Sequence, residues 1–183
     1  MMEGEMASPT SGHRERVWEW VKSIGLALLL AIGIRTAVVE AFVIPSGSME
    51  PTLQIGDRVL GNKFWFWFAA PHRQEIVIFS PPSSAELAAG ALIKRVIAVE
   101  GDVVEVRESQ VFVNGKPATE PYIKERPQYI LPPTPVPQGM FFVLGDNRNA
   151  SYDSHVWGFV PRNHLKALAF ARYWPLNRIG LLQ

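Results

Sequence analysis

The chain has 183 residues, a formal net charge of +1 and no cysteine, which excludes disulfides, thiolate metal sites and a cysteine nucleophile. Its basic residues are scattered, so no clustered cationic face points to a nucleic-acid partner. With 48% hydrophobic residues, 15 prolines and 14 glycines, the composition favours one turn-rich, strand-rich domain over a helical bundle.

Residues 1–15 open on a small, polar, acidic stretch without periodicity and are expected to be a disordered tail. From residue 16 to 39 the chain turns apolar, with an uncharged run from Ser23 to Ile34 bounded by Lys22 and Arg35. That run gives roughly 20 Å of helix, and snorkelling of the two flanking cations brings it near the roughly 30 Å of a hydrocarbon core. A single transmembrane helix is therefore expected, with Trp18 and Trp20 at one interface. A cleavable signal peptide, a buried soluble helix and an interfacial helix compete with it. The absence of a small-x-small site weighs against the first, and an apolar character on all sides against the last. Arg14, Arg16 and Lys22 precede the span, so the N-terminus is expected in the cytoplasm and residues 40–183 outside it.

Val43–Leu53, VIPSGSMEPTL, follows. Prolines fix backbone torsions and a glycine frees one, so a serine held between them can be displayed on a sharp turn as a nucleophile. A polar linker leaving the helix is the other reading. After a strand near Arg58, FWFWF at Phe64–Phe68 puts five aromatics in succession, which one face of an alternating strand cannot bury. A hairpin or loop dipping into a membrane interface and a two-sided buried strand both fit.

Glu75–Phe79 reads as a strand. So does Ala91–Val99, ALIKRVIAV, in which Lys94 shares a face with Leu92, Val96 and Ala98. Val103–Arg107 and Val111–Val113, with Asn114-Gly115 as a two-residue turn, continue a meander. The proline-rich stretch 117–137 is expected to be extended and to wrap the surface. Met140–Leu144 is a strand running into the polar loop Gly145–His155, whose side chains can bond one another into a rigid scaffold. Ala167–Tyr173 is the last strand.

A serine needs a base. Asp153 and His155 read as a structural pair, because no nucleophile elbow accompanies them. No metal-ligand spacing and no cofactor motif is present. Lys94 qualifies if its apolar surroundings lower its pKa from about 10.4 towards roughly 7, which disfavours the charged form by about 4 to 5 kcal/mol. A lysine with a packed stem and a solvated amine is the alternative.

Four blocks then decide the matter: PSGSMEPTL at Pro45–Leu53, GDRVLGNKF at Gly56–Phe64, KRVIAVEGD at Lys94–Asp102 and GDNRNASYDSHVWGFVP at Gly145–Pro161. In this order they resemble the type I signal peptidases, membrane-anchored Ser/Lys proteases that remove signal peptides from exported proteins. The resemblance implies a mostly β fold: an N-terminal single transmembrane helix followed by an antiparallel β-sheet, β-barrel-like catalytic domain. It implies Ser48 as nucleophile, Lys94 as general base, and Ser46 with the Ser48 N–H as oxyanion donors. Ser151 is expected to hold the Lys94 amine. Phe42, Ile44, Met49, Leu53 and Ile93 match the lining of shallow pockets that favour alanine at the first and third places before the cut. Gly145, Asp146, Asn147, Arg148, Asp153 and Arg95 are expected to be structural.

The partners implied are preprotein signal peptides and the lipid bilayer, the latter also for the aromatic run. Two positions depart from the family pattern. His155 stands where arginine is common, and Gln74-Glu75 where Gly-Asp is common. The insert and second span of larger relatives are missing, so a minimal form is expected. A self-cleaving Ser/Lys peptidase and an inactive membrane-anchored binding module are the alternatives.

Overall fold

The computed structural model describes residues 11–86 and 90–182, and the chain divides into two compact units between Ala37 and Val38. The first contains helix α1, Ser11–Val38, so the helix starts before the expected residue 16 and residues 11–15 are helical rather than a disordered tail. Arg14 and Glu15 are good helix formers, and extending an existing helix costs far less than nucleating one. Residues 1–10 lie outside the described residues. The 28 residues of α1 span about 42 Å, and Leu26, Leu29 and Ile32 are exposed on it. Among the described residues no helix is long and apolar enough to cross a membrane. The expected span includes residues 34–37, whose side chains are outside the described set.

The second unit is mostly β and antiparallel throughout. Its elements are β1 (Val39–Val43), β2 (Arg58–Asn62), the helical turn α2 (Trp65–Phe68), β3 (Ile76–Phe79), β4 (Leu92–Ala98), β5 (Val103–Arg107) and β6 (Gln110–Val113). After these come β7 (Lys116–Pro117), β8 (Leu131–Pro135), β9 (Met140–Leu144), the turn α3 (Ser154–Trp157), β10 (Val160–Pro161), β11 (Leu165–Trp174) and β12 (Gly180–Leu181). The larger sheet runs β1-β2-β11-β3-β4-β9-β10 with β12 on β11, and the smaller runs β7-β6-β5-β8. The mostly β, antiparallel character is as expected for the catalytic domain. The end strand β10 is two residues long, and Pro161 has no N–H with which to extend the ladder.

Local chemistry accounts for these elements. The β5–β6 hairpin turns at Glu108 and Ser109, and the β6–β7 hairpin at Asn114 and Gly115, both residues of each pair having positive φ, as two-residue hairpin turns require. Strand β8 carries three of its five residues as proline and is confined to the sheet edge, as proline must be.

The aromatic run forms neither a hairpin nor a strand. Asn62 Oδ1 accepts hydrogen bonds from the backbone N–H groups of Phe64 and Trp65, capping a single helical turn that turns Phe66 towards the core and leaves Trp67 and Phe68 77% and 74% exposed.

β4 lies between β3 and β9 with Lys94 opposite Val77. That central position buries Lys94, and the strand becomes the beam from which it is presented. β1 is an edge strand, paired on one side with β2.

Candidate active site

Ser46 is extended, and Gly47–Met49 forms a single 3₁₀ turn. The approach to this turn is pinned: Ile44 N–H bonds Asp57 C=O, and Gly56 N–H bonds Ile44 C=O, each at 2.9 Å. The exit is pinned by burial, because Met49 and Leu53 have no accessible surface and pack with Ile44, Val59, Ile76 and Ile78. Proline and glycine shape the turn, and the apolar residues around the serines hold it to the core. The sharp display turn, rather than the polar linker, is what forms.

Lys94 Nζ lies 2.5 Å from Ser48 Oγ. The lysine is 4% exposed, and burial pulls its pKa down to about 8 against the opposing pull of the Asp153 and Asp146 carboxylates. An ammonium would donate to the serine oxygen, whereas a neutral amine accepts the serine proton. Near pH 8 both forms are populated, so a substantial fraction of the amine is free to accept a proton. Ser46 Oγ is 3.4 Å from Ser48 Oγ.

The polar loop after β9 supports the turn from beneath. Asn147 N–H and Nδ2 donate to Ser48 C=O and Gly47 C=O, both at 3.1 Å. Gly145 is buried against Ser48 C=O and Ser151, with no room for a Cβ. Asp146 and Arg95, both fully buried, form a two-point ion pair at 2.9 and 2.8 Å. Tyr122 stacks on the Arg95 guanidinium at 3.9 Å, and Thr52 donates to Asp146 at 2.5 Å. Asp153, also fully buried, accepts from Gly145 N–H at 2.8 Å and lies 2.7 Å from His155 Nδ1. The paired charges leave Lys94 as the buried group whose charge state can change most cheaply.

The proline-rich segment does more than wrap the surface. It straps the polar loop through Glu120 on Arg148 at 2.8 and 2.6 Å, Lys124 N–H on Asp146 C=O at 3.0 Å, Gln128 N–H on Asn149 at 2.8 Å and Tyr129 stacked on His155, and Lys124 Nζ reaches Glu50 beside the serine turn at 2.9 Å. Sequence reading missed Thr52, Glu120, Tyr122 and Tyr129. No spacing could have found them, since Thr52 meets Asp146 and the strap meets its partners from 20 or more residues away in the chain.

Of the anticipated site residues, Ser46, Ser48 and Lys94 converge, and Gly145, Asp146, Asn147, Arg148, Asp153 and Arg95 form the scaffold around them. Ser151 does not bond Lys94. Its Oγ is buried beside Gly145 and has no hydrogen-bond partner among the described residues, because the amine is directed to Ser48.

The anticipated pocket residues separate into two groups. Phe42 and Ile93 are half-exposed. Ile44, Met49 and Leu53 are sealed in the core and back the surface rather than line it, since they also anchor the turn. Gly61 lets the Phe42 ring lie across β2, where a Cβ would stand 2.9 Å from it.

A family model described as signal peptidase, peptidase S26, matches residues 17–174. A probable signal peptidase I-2 of Synechocystis sp. is 51% identical over 171 residues, covering 92% of this chain and 78% of its own length. A signal peptidase I of Leptolyngbya laminosa is 47% identical over 172 residues, covering 90% and 83%. Thylakoidal processing peptidase 1, chloroplastic, of Arabidopsis thaliana is 41% identical over 169 residues, covering 88% of this chain and 50% of that protein.

Proposed function

The chain belongs to the S26 signal peptidases, serine peptidases that cleave signal peptides, and on that premise we propose that Ser48 and Lys94 carry out the cleavage. The observation that carries this reading is the 2.5 Å contact between Lys94 Nζ and Ser48 Oγ inside a buried setting that lowers the lysine pKa to about 8.

In the reaction, neutral Lys94 takes the Ser48 proton as Oγ attacks the carbonyl before the cut. The oxyanion of the tetrahedral intermediate accepts hydrogen bonds from Ser46 Oγ and the Ser48 backbone N–H, donors held in place before the charge develops. The Lys94 ammonium then gives its proton to the departing amine, leaving an acyl-enzyme on Ser48. Lys94 next deprotonates a water that attacks the ester, and the returning proton restores Ser48 while the signal peptide leaves as a carboxylate. Ser151, packed under Gly145, holds the floor on which the lysine and serine meet.

Substrate preference follows from the two half-exposed apolar residues, Phe42 and Ile93, over the sealed Ile44, Met49 and Leu53. A shallow surface backed by a filled core accepts alanine at the first and third places before the cut and excludes larger side chains. An extended signal peptide lies along the edge strand β1 and adds its backbone hydrogen bonds there.

The domain is held at a membrane by residues 16–39 as a single span, with the N-terminus cytoplasmic and residues 40–183 on the far side. Leu26, Leu29 and Ile32 exposed on α1 and Trp18 near its start support this, as does the exposed Trp67 and Phe68 surface in the catalytic unit.

The test is cleavage of a preprotein carrying an Ala-x-Ala site by detergent-solubilised protein. Ser48→Ala and Lys94→Ala are each expected to remove the activity while remaining folded. Undiminished cutting by either variant overturns the assignment.

A further inference from the structure

We propose that Gly61 sets the width of the substrate surface at the third place before the cut, by leaving bare backbone under the Phe42 ring. The inference rests on the reading of Phe42 and Ile93 as substrate contacts and deepens it by naming what fixes the position of the ring.

Phe42 and Ile93 stand at the two ends of a strip that crosses the neighbouring strands β1-β2-β11-β3-β4. Residues directly opposite in an antiparallel ladder, and residues two apart along a strand, share a face. Ile93 is opposite Ile78, and Ile78 is opposite Ala167. Ala169, two residues on, is opposite Gly61, and Val59, two residues before Gly61, is opposite Phe42. All of these residues therefore lie on one face. The small residues Gly61, Ala167 and Ala169 form the floor between the two larger side chains.

A Cβ at residue 61 would stand 2.8 Å from Ala167 Cβ, 2.9 Å from Phe42 Cε2 and 3.2 Å from Ile78 Cδ1. Of these neighbours the ring is the one with room to move. Ala167 and Ile78 are 0% and 1% exposed, and the alanine methyl has no torsion through which to withdraw. The Phe42 ring is half-exposed and is met at its far edge, so it yields by turning outwards about its side-chain torsions. Outwards is the side from which a substrate approaches. An extended peptide places its first and third side chains on the same face, about 7 Å apart. The first is fixed at Ser48 by the reaction, and Phe42, on β1 ahead of the serine turn, meets the third. A raised ring takes the space of that side chain.

The experiment measures kcat/KM in detergent for internally quenched peptides with alanine, 2-aminobutyrate or valine at the third place before the cut and, in a second series, alanine or glycine at the first. The full chain is compared with Gly61→Ala, Phe42→Leu and the double variant, with thermal melts as the check on folding. Gly61→Ala is expected to lower the valine-to-alanine ratio at the third place by about tenfold or more, the effect of one methylene of pocket space. The alanine-to-glycine ratio at the first place is expected to keep its parent value. Phe42→Leu removes the ring edge that a Cβ at residue 61 would meet, so in the double variant the effect of Gly61→Ala on the third-place ratio is expected to disappear.

If Gly61→Ala slows all peptides alike, residue 61 is a packing position and the proposal fails. It fails equally if the effect persists undiminished in the double variant. Where Gly61→Ala does not stay folded, Gly61→Ala with Ala167→Gly removes the tighter, buried contact and is read by the same ratio, and loss of folding in both variants overturns the proposal. The pocket reading of Phe42 fails separately, by a Phe42→Leu enzyme whose third-place ratio is that of the parent.

Discussion

Gly145 lies against the carbonyl oxygen of Ser48 so closely that a Cβ at residue 145 would overlap it, although one follows β9 and the other precedes β2 in the chain. The contact makes the backbone after β9 the floor of the serine turn. Asn147 completes that floor with two hydrogen bonds to Gly47 and Ser48. Glycine is required here for close approach, as Gly145 is not among the residues with positive φ.

Gly145→Ala is accordingly expected to displace Ser48 rather than to unfold the domain. Overpacking costs about 1 to 3 kcal/mol, whereas a displacement of the nucleophile by about 1 Å lowers kcat on the order of 100-fold. Denaturant melts alongside steady-state cleavage separate the two effects. A variant with wild-type kcat would show that the floor does not position the serine.

Burial of Lys94 makes a stability prediction with a definite sign. Its pKa falls from 10.5 to about 8, so between those values the unfolded chain binds more protons than the folded one, and stability rises with pH across that window. Below pH 8 the whole cost of burying the amine is present, on the order of 3 kcal/mol. Lys94→Met, similar in shape and uncharged, should be inactive yet more stable than the parent at pH 7, with the advantage shrinking as pH rises from 8 towards 10.5. Urea melts of both proteins at pH 7 and pH 10 check this, and a methionine variant less stable at pH 7 would contradict it.

The same shift governs activity. The rate should climb from pH 7 to 9 as the amine loses its proton, because only the neutral form accepts the serine hydrogen. A flat profile over that range in the wild-type protein would remove Lys94 from the role of base.

The exposed pair Trp67 and Phe68 is expected to reside in a lipid interface. The chain has no cysteine, so Trp67→Cys can carry one environment-sensitive fluorophore without background labelling. In proteoliposomes its emission should shift to the blue and be quenched by brominated lipid, while a label at Glu108, on the exposed β5–β6 turn, should report water. Identical emission at the two sites would mean that α2 does not touch the bilayer.

Much of the catalytic unit was readable from residue order. Short apolar, β-branched runs bounded by turn residues located β3, β4, β5, β6 and β9, and Asn114-Gly115 marked a hairpin turn, because both signals are local to the chain. Ser48 and Lys94 were legible as a weak nucleophile on a constrained turn and a cation stranded in an apolar strand. What long-range packing settled is the distance between them, 2.5 Å across 46 residues of chain, and the burial that lowers the lysine pKa. The strap from Glu120 to Tyr129, the pairing of Arg95 with Asp146 and the exclusion of Met49 and Leu53 from the surface arose only on folding. Each depends on which strands become neighbours, and burial is a property of that assembly rather than of any residue's place in the sequence.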